Sequence, residues 1–295
     1  MNRNREPANI AVAAILAALL VLSATAPGAI AAKGSDHSRE GDTEEEIEDT
    51  KLNTEDAVPV AKGNIELSFS FGQLRATRRW DRAGDRESRA MRRDIPAGVE
   101  AACGVRPGID VTVGTVYVDL VDRAVGSGSG LGDSYVMPKI SIWVRSGLHV
   151  ALLPGLVIPT GCVDSRERLG TGDGYWAFTP GMAVTQGWER WTSNVAVVGT
   201  IPFAGKERET GGSVEMDVAL GCEIREWLEP EVELNYLHDF SGGGSDDVAM
   251  TVGLILPLGD HFRAELGGQQ AVLGRNTDQT TSWLIVLTPI LGRAP

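Results

Sequence analysis

The sequence predicts an all-β protein: a membrane-spanning, up-and-down antiparallel β-barrel of about twelve strands. Three observations carry that prediction. Apolar and polar residues alternate with period two over long stretches, as they do on a strand with one face in lipid and the other in water. The alternating segments run ~10–13 residues, the length of a tilted bilayer crossing, where ordinary soluble strands run ~5–6. Short turns and longer Gly-, Ser- or charge-rich connections take turns along the chain, as in bacterial outer-membrane barrels.

The chain has 295 residues, 36 of them glycine, and a formal net charge of −13. Residues 1–32 carry Arg3 and Arg5, an apolar run from Ile10 to Leu22, and the small-residue sequence Ala29-Ile30-Ala31. That is the order of a cleaved export signal, and Pro27-Gly28 interrupts the apolar run before it reaches bilayer length. Residues 33–62 hold ten acids against four bases and show no periodicity, which predicts a disordered acidic periplasmic segment. The barrel domain is expected over 63–292, in the outer membrane.

Strands are predicted at 63–72, 95–105, 108–120, 134–145, 148–160, 175–187, 191–203, 213–226, 229–241, 246–258, 261–273 and 281–291. The alternation is clearest where Val214, Met216, Val218, Leu220 and Cys222 oppose Glu215, Asp217, Ala219, Gly221 and Glu223. Long connections are expected at 73–94, 121–133, 161–174, 204–212, 242–245 and 274–280. Pro138, Pro154, Pro180, Pro202, Pro257 and Pro289 run against this assignment, because proline removes a ladder donor.

The order and spacing of several stretches resemble a known family. They are Thr54-Glu55-Asp56-Ala57-Val58-Pro59 before the strand at 63–71, Gly104-Val105-Arg106-Pro107-Gly108-Ile109-Asp110-Val111, Tyr117-Val118-Asp119-Leu120, Gly130-Leu131-Gly132-Asp133, Pro154-Gly155-Leu156-Val157-Ile158-Pro159-Thr160-Gly161 and Gly172-Asp173. The chain is similar, over roughly 54–292, to outer-membrane transporters associated with meta-pathway phenol degradation. The resemblance implies an outer-membrane barrel and hydrophobic or aromatic solutes. The chain departs from the usual barrel-assembly signal by ending Leu291-Gly292-Arg293-Ala294-Pro295 rather than on an aromatic residue.

Parity along each strand assigns lumen-lining candidates. These are Glu66, Glu100, Asp110, Lys139, Arg145, Glu215, Asp217, Glu223, Arg225, Glu231, Glu233, Asn235, Asp239, Arg263, Glu265 and Gln269. Ten are acids and four are bases, which predicts a weak preference for cations. A network of paired charges filling a narrow barrel is the competing expectation. The tryptophans mostly fall near strand ends, as in an aromatic girdle, although Trp143 takes a polar-face position.

The predicted loop 73–94 carries eight arginines, Arg75, Arg78, Arg79, Arg82, Arg86, Arg89, Arg92 and Arg93, with Asp81, Asp85, Glu87 and Asp94 interspersed. Arginine forks match phosphate geometry, so lipopolysaccharide is a candidate partner beside lipid, the barrel-assembly machinery and a small-molecule solute. A self-balanced solvated loop is the plainer alternative. An exported acidic chain is a poor nucleic-acid binder.

Enzyme signatures are weak. There is no G-x-S-x-G elbow, H-E-x-x-H or P-loop, and the histidines His37, His149, His238 and His261 are too scattered for a metal site. His238 and Ser241 have the residue types of an outer-membrane phospholipase without its surrounding pattern. Cys103, Cys162 and Cys222 allow at most one bridge. No cofactor and no metal are expected. The predicted function is passive uptake of small solutes through a polar, acid-rich lumen. The alternatives are a non-conducting structural or adhesion barrel and a secreted soluble β-sandwich.

Overall fold

The structure is a computed structural model that describes residues 52–163, 168–205 and 211–292. The expected signal segment and the first part of the acidic segment lie outside the described residues, as does Arg293–Pro295.

Fourteen strand segments form one antiparallel sheet. They are β1 (Ile65–Trp80), β2 (Arg86–Arg106), β3 (Ile109–Asp122), β4 (Gly126–Arg145), β5 (Leu148–Leu152), β6 (Gly155–Ile158) and β7 (Tyr175–Thr179). Then follow β8 (Gly181–Trp188), β9 (Trp191–Gly205), β10 (Ser213–Cys222), β11 (Glu229–Asp239), β12 (Ser245–Pro257), β13 (Phe262–Arg275) and β14 (Thr277–Leu291). Strand β14 pairs with β1, from Ile65↔Leu291 to Trp80↔Thr277, and this closes the sheet into a cylinder.

Two pairs of segments are each one crossing broken at a proline. Segments β5 and β6 both pair with β4, in a single register interrupted at Leu153-Pro154. Segments β7 and β8 both pair with β9 across the break at Pro180. The cylinder therefore has twelve crossings. Continuing the register from Ile140↔Leu152 to Val136↔Leu156 sets Pro138 opposite Pro154. The ladder is held on either side of this level, with Leu153 N–H donating to Gly181 O and Gly199 N–H donating to Pro180 O, both in 2.9 Å or less. Pro138, Pro154 and Pro180 thus sit where the ladder is locally interrupted, while Pro257 and Pro289 lie near the short-turn ends of their strands.

The outward face is oily. Phe69 and Phe71 are each 49 % exposed, and Val113, Ile142, Leu152, Met182, Ile201, Val232, Val252 and Leu287 are exposed beside them around the cylinder. Large apolar side chains in contact with the surroundings on every crossing define a lipid-facing belt, not the solvated exterior of a sandwich. Phe71 and Trp283 pack ring to ring on this belt, with centroids 5.6 Å apart.

The short turns gather at one end, the end where β1 starts and β14 finishes. The turn between β4 and β5 is Ser146-Gly147, both with positive φ (50° and 76°), the geometry that tight two-residue hairpins require.

At the other end the expected long loops differ from what forms. The predicted connections 73–94, 121–133 and 274–280 are mostly paired strand, leaving Asp81–Asp85, Arg123–Val125 and Asn276 as the actual turns. Strand β2 alone has 21 residues. At ~3.3 Å per residue and a ~45° tilt it rises ~50 Å, well past a ~25–30 Å apolar layer. These hairpins therefore extend past the apolar layer, where both faces meet polar surroundings. That removes the one-sided apolar pattern by which a strand is recognised.

Candidate functional site: the lumen and its strap

Residues 52–62 belong to the segment expected to be disordered, and the structure places them differently. They cross the inside of the barrel near its short-turn end as a strap. The wall receives them through a series of complementary contacts.

Leu52, 8 % exposed, sits over Gly253 and Gly267, which face each other across β12 and β13. A Cβ on Gly253 would lie 1.9 Å from Leu52 Cδ1, and one on Gly267 2.9 Å from it, so the two glycines make a socket for this side chain. The strap's backbone then donates to lumen carboxylates: Leu52 N–H to Glu231 Oε1 (3.1 Å), and Asn53 and Thr54 N–H to Glu233 Oε1 (3.0 and 3.2 Å). The Asn53 amide adds bonds to Glu233 Oε2 and Thr251 Oγ1.

Further along, Lys139 Nζ reaches Asp56 Oδ1 at 2.9 Å, and both residues are buried. Ala57 is fully buried against Ala151, Leu153, Ala183 and Ala196, a small apolar patch on the inner wall, and its N–H donates to Thr185 Oγ1 (2.9 Å). Val60 N–H donates to Asp110 Oδ2 (2.8 Å), and Gly63 N–H to Gly104 O (2.8 Å). Withdrawal from bulk water pushes the Glu55 carboxyl up to about 7; Lys139 opposes that shift, while Asp56, Glu100 and Asp110 add to it.

Most of the sixteen lumen candidates lie where parity put them. Asp110, Glu231 and Glu233 are each 1 % exposed and hold the strap. Arg263 is paired with Glu265 (2.8 Å) and Glu66 (3.3 Å) on the inner wall. Asp217, Asn235, Thr251 and Gln269 form a chain of side-chain hydrogen bonds across β10 to β13. Glu100 accepts the Tyr135 hydroxyl, whose ring covers Gly114 so closely that a Cβ there would meet it at 2.6 Å. Glu215 shares the face of Asp217 but is exposed. Asp239 caps the turn after β11 by accepting the Ser241 N–H.

Three candidates are corrected. Glu223 and Arg225 lie past the end of β10, exposed in the turn that leads to β11, because that strand stops at Cys222 instead of running to 226. Arg145 is exposed at the short-turn rim. A bulge between Ser141 and Trp143 inverts the parity of the last residues of β4, so Arg145 pairs with Leu148 and Trp143 with Val150. The same bulge turns Trp143, 54 % exposed, onto the oily exterior.

The lumen is also less polar than expected. Toward the long-hairpin end, Leu74, Pro96, Val116, Val118 and Leu120 share the inward parity of Ser70, Glu100 and Asp110. Leu284, opposite Gly72 on β14, joins them. The inner wall thus has a charged zone around the strap and an apolar vestibule on one side above it. Between them a cavity of about 20 Å³ lies among Leu52, Asn53, Thr251, Gly267, Gln269, Ser282 and Leu284, room for about one water.

At the mouth, Arg89 is clamped between Asp122 and Asp278, and Arg92 pairs with Asp94 at 2.8 Å. Single-sequence parity missed this cluster because its residues were assigned to a loop. It missed the strap because the strap binds largely through backbone N–H groups, which leave no mark on residue type. Among the described residues no group of three His, Cys, Asp or Glu is placed to hold a metal ion, and the three cysteines are free.

A closed twelve-crossing cylinder with an oily exterior and a charged interior is the architecture of an outer-membrane channel barrel. The chain belongs to the family described as "Putative MetA-pathway of phenol degradation", whose profile matches residues 99–280. In fold it is similar to an outer membrane channel from Pseudomonas putida F1, at 10% identity and a TM-score of 0.72, over 82% of this chain and 100% of that one. Likenesses to the KdgM porin (6% identity, 75% and 98% covered, TM-score 0.47) and the NanC porin (7%, 77% and 100%, 0.48) are looser. A comparison with curated proteins finds no match.

Proposed function

We propose that this protein is an outer-membrane channel for passive uptake of small solutes, closed near its short-turn end by the strap at 52–62. The observation that carries this reading is the strap itself. It crosses the lumen on hydrogen bonds and one ion pair, with a single apolar side chain in a glycine socket. A wall evolved only as a solid structural pillar has no need of a separable occluding segment. The apolar vestibule of Leu74, Pro96, Val116, Val118 and Leu120 supports hydrophobic or aromatic solutes, entering from the long-hairpin side. Around the strap, carboxylates outnumber bases: Glu66, Asp110, Asp217, Glu231, Glu233 and Glu265 against Lys139 and Arg263. Their field favours cations.

Planar-bilayer recording and liposome swelling test this directly. The full-length protein should show small, cation-preferring currents, and Leu52→Asp should enlarge them. Swelling should be faster with uncharged aromatic alcohols than with sugars of similar size. Absence of conductance in both the parent and the Leu52→Asp protein would leave the non-conducting barrel as the better reading.

A further inference from the structure

The arginine-rich hairpin divides into two populations once its pairing is known. On the inner side, Arg89 is taken up by Asp122 and Asp278, Arg92 by Asp94, and Arg79 by Glu87. On the outer side the situation differs. Arg75 and Arg93 are directly opposite each other in the β1–β2 ladder. Both continue the parity of the exposed Phe69, Phe71 and Val99, so both stand on the lipid-facing surface. Arg75 has no ion-pair partner among the described residues, and Arg93 has only Asp119, at 3.7 Å and well exposed.

Like charges directly opposite on one face destabilise a strand pair, and this pair lies ~5 Å apart at Cβ. The arrangement calls for an anion between the two guanidinium groups. Its height identifies which anion. Arg75 is four residues beyond Phe71, which packs on Trp283 within the apolar belt, and ten residues beyond the exposed Ile65 that opens β1, a rise of ~23 Å that matches the ~25 Å height of such a belt. At ~3.3 Å per residue and ~45° tilt, the arginines stand ~9 Å above that contact, at headgroup level. They are at the long-hairpin end, which faces outward in outer-membrane barrels. Guanidinium forks bind phosphate oxygens two at a time, which a Lys pair would not do.

We propose that Arg75 and Arg93 form an exterior site for a phosphate of lipid A in the outer leaflet. This rests on the outer-membrane reading above. The neighbouring Gln73, Thr281 and Asp119 complete a polar rim that accepts sugar hydroxyls next to the phosphate.

Native mass spectrometry of the full-length protein in neutral detergent tests the site, with bisphosphorylated lipid A and its dephosphorylated form as probes. Heat-modifiable migration on unboiled gels reports the folded barrel independently, so loss of lipid binding and loss of the barrel are separable. The parent should retain bisphosphorylated lipid A. Each arginine lost should weaken retention about fivefold, so that Arg75→Gln with Arg93→Gln weakens it ~25-fold. Arg75→Lys with Arg93→Lys should fall between, and Arg106→Gln at the opposite end should bind as the parent does. Equal binding by the folded double Gln variant would overturn the proposal. So would equal binding of dephosphorylated lipid A or of phosphatidylglycerol, or displacement by millimolar inorganic phosphate.

Discussion

Closing the glycine socket should release the strap. A methyl group on Gly253 would lie 1.9 Å from Leu52 Cδ1, about half a normal carbon–carbon contact distance, so the Leu52 side chain is displaced from the socket. Expelling a nearly fully buried leucine forfeits ~2 kcal/mol of apolar burial. That alone shifts the ratio of docked to undocked strap ~30-fold. If Leu52 N–H also loses Glu231, a hydrogen bond to a charged acceptor adds ~1.5–3 kcal/mol. The assay is single-channel recording of open probability for Gly253→Ala, Leu52→Ala and the double variant. The same methyl would also crowd Leu266 O, at 2.9 Å, which strains the wall whether or not Leu52 is present. The double-mutant cycle separates the two effects. Each single variant should raise open probability, and Gly253→Ala should add little once Leu52 is alanine. Equal increments in both backgrounds would refute a socket and point to general damage to β12 and β13.

Three further outcomes are expected. Because Glu55 binds its proton more tightly in the docked strap than in free solution, docking is full strength below pH ~4.5 and weakens as pH rises toward 7; open probability should rise between pH 5 and 8, and Glu55→Gln should flatten that rise. Lys139→Met leaves Asp56 buried without its cation, a change worth ~3–5 kcal/mol in similar buried pairs; it should raise conductance sharply, and adding Asp56→Asn should restore part of the closed state. Arg89→Ala unclamps three hairpins that share Asp122 and Asp278; limited proteolysis should cut the β1–β2 and β3–β4 tips faster, with the barrel's heat-modifiable migration retained.

The twelve crossings were readable because lipid imposes a one-sided pattern, and β10, β11 and β12 follow it almost residue by residue. Legibility fails where that pressure ends. Beyond the apolar layer both faces of β1 and β2 meet polar surroundings, headgroups first and then water, so residues 75–80 and 86–94 look like loop although they are paired. A single extra residue at Ile142 reverses the facing of Trp143 and Arg145, and no composition signal announces a bulge. The strap is the largest omission. Its polarity argues for disorder, yet its backbone finds acceptors that exist only once the barrel has formed. The inner apolar residues of β3 were hard to see for a related reason: Val116, Val118 and Leu120 alternate with Tyr117, Asp119 and Val121, of which only Asp119 is charged.

The strap's partners come from β3, β4, β8, β11 and β12, nearly the full circumference. No half-assembled sheet presents them together, so occlusion has to be the last event in biogenesis. Under the channel function proposed above, every newly inserted molecule therefore passes through an unsealed stage. Loop closure over ~10 residues takes ~10–100 ns, which sets a lower bound on how briefly that leak can persist.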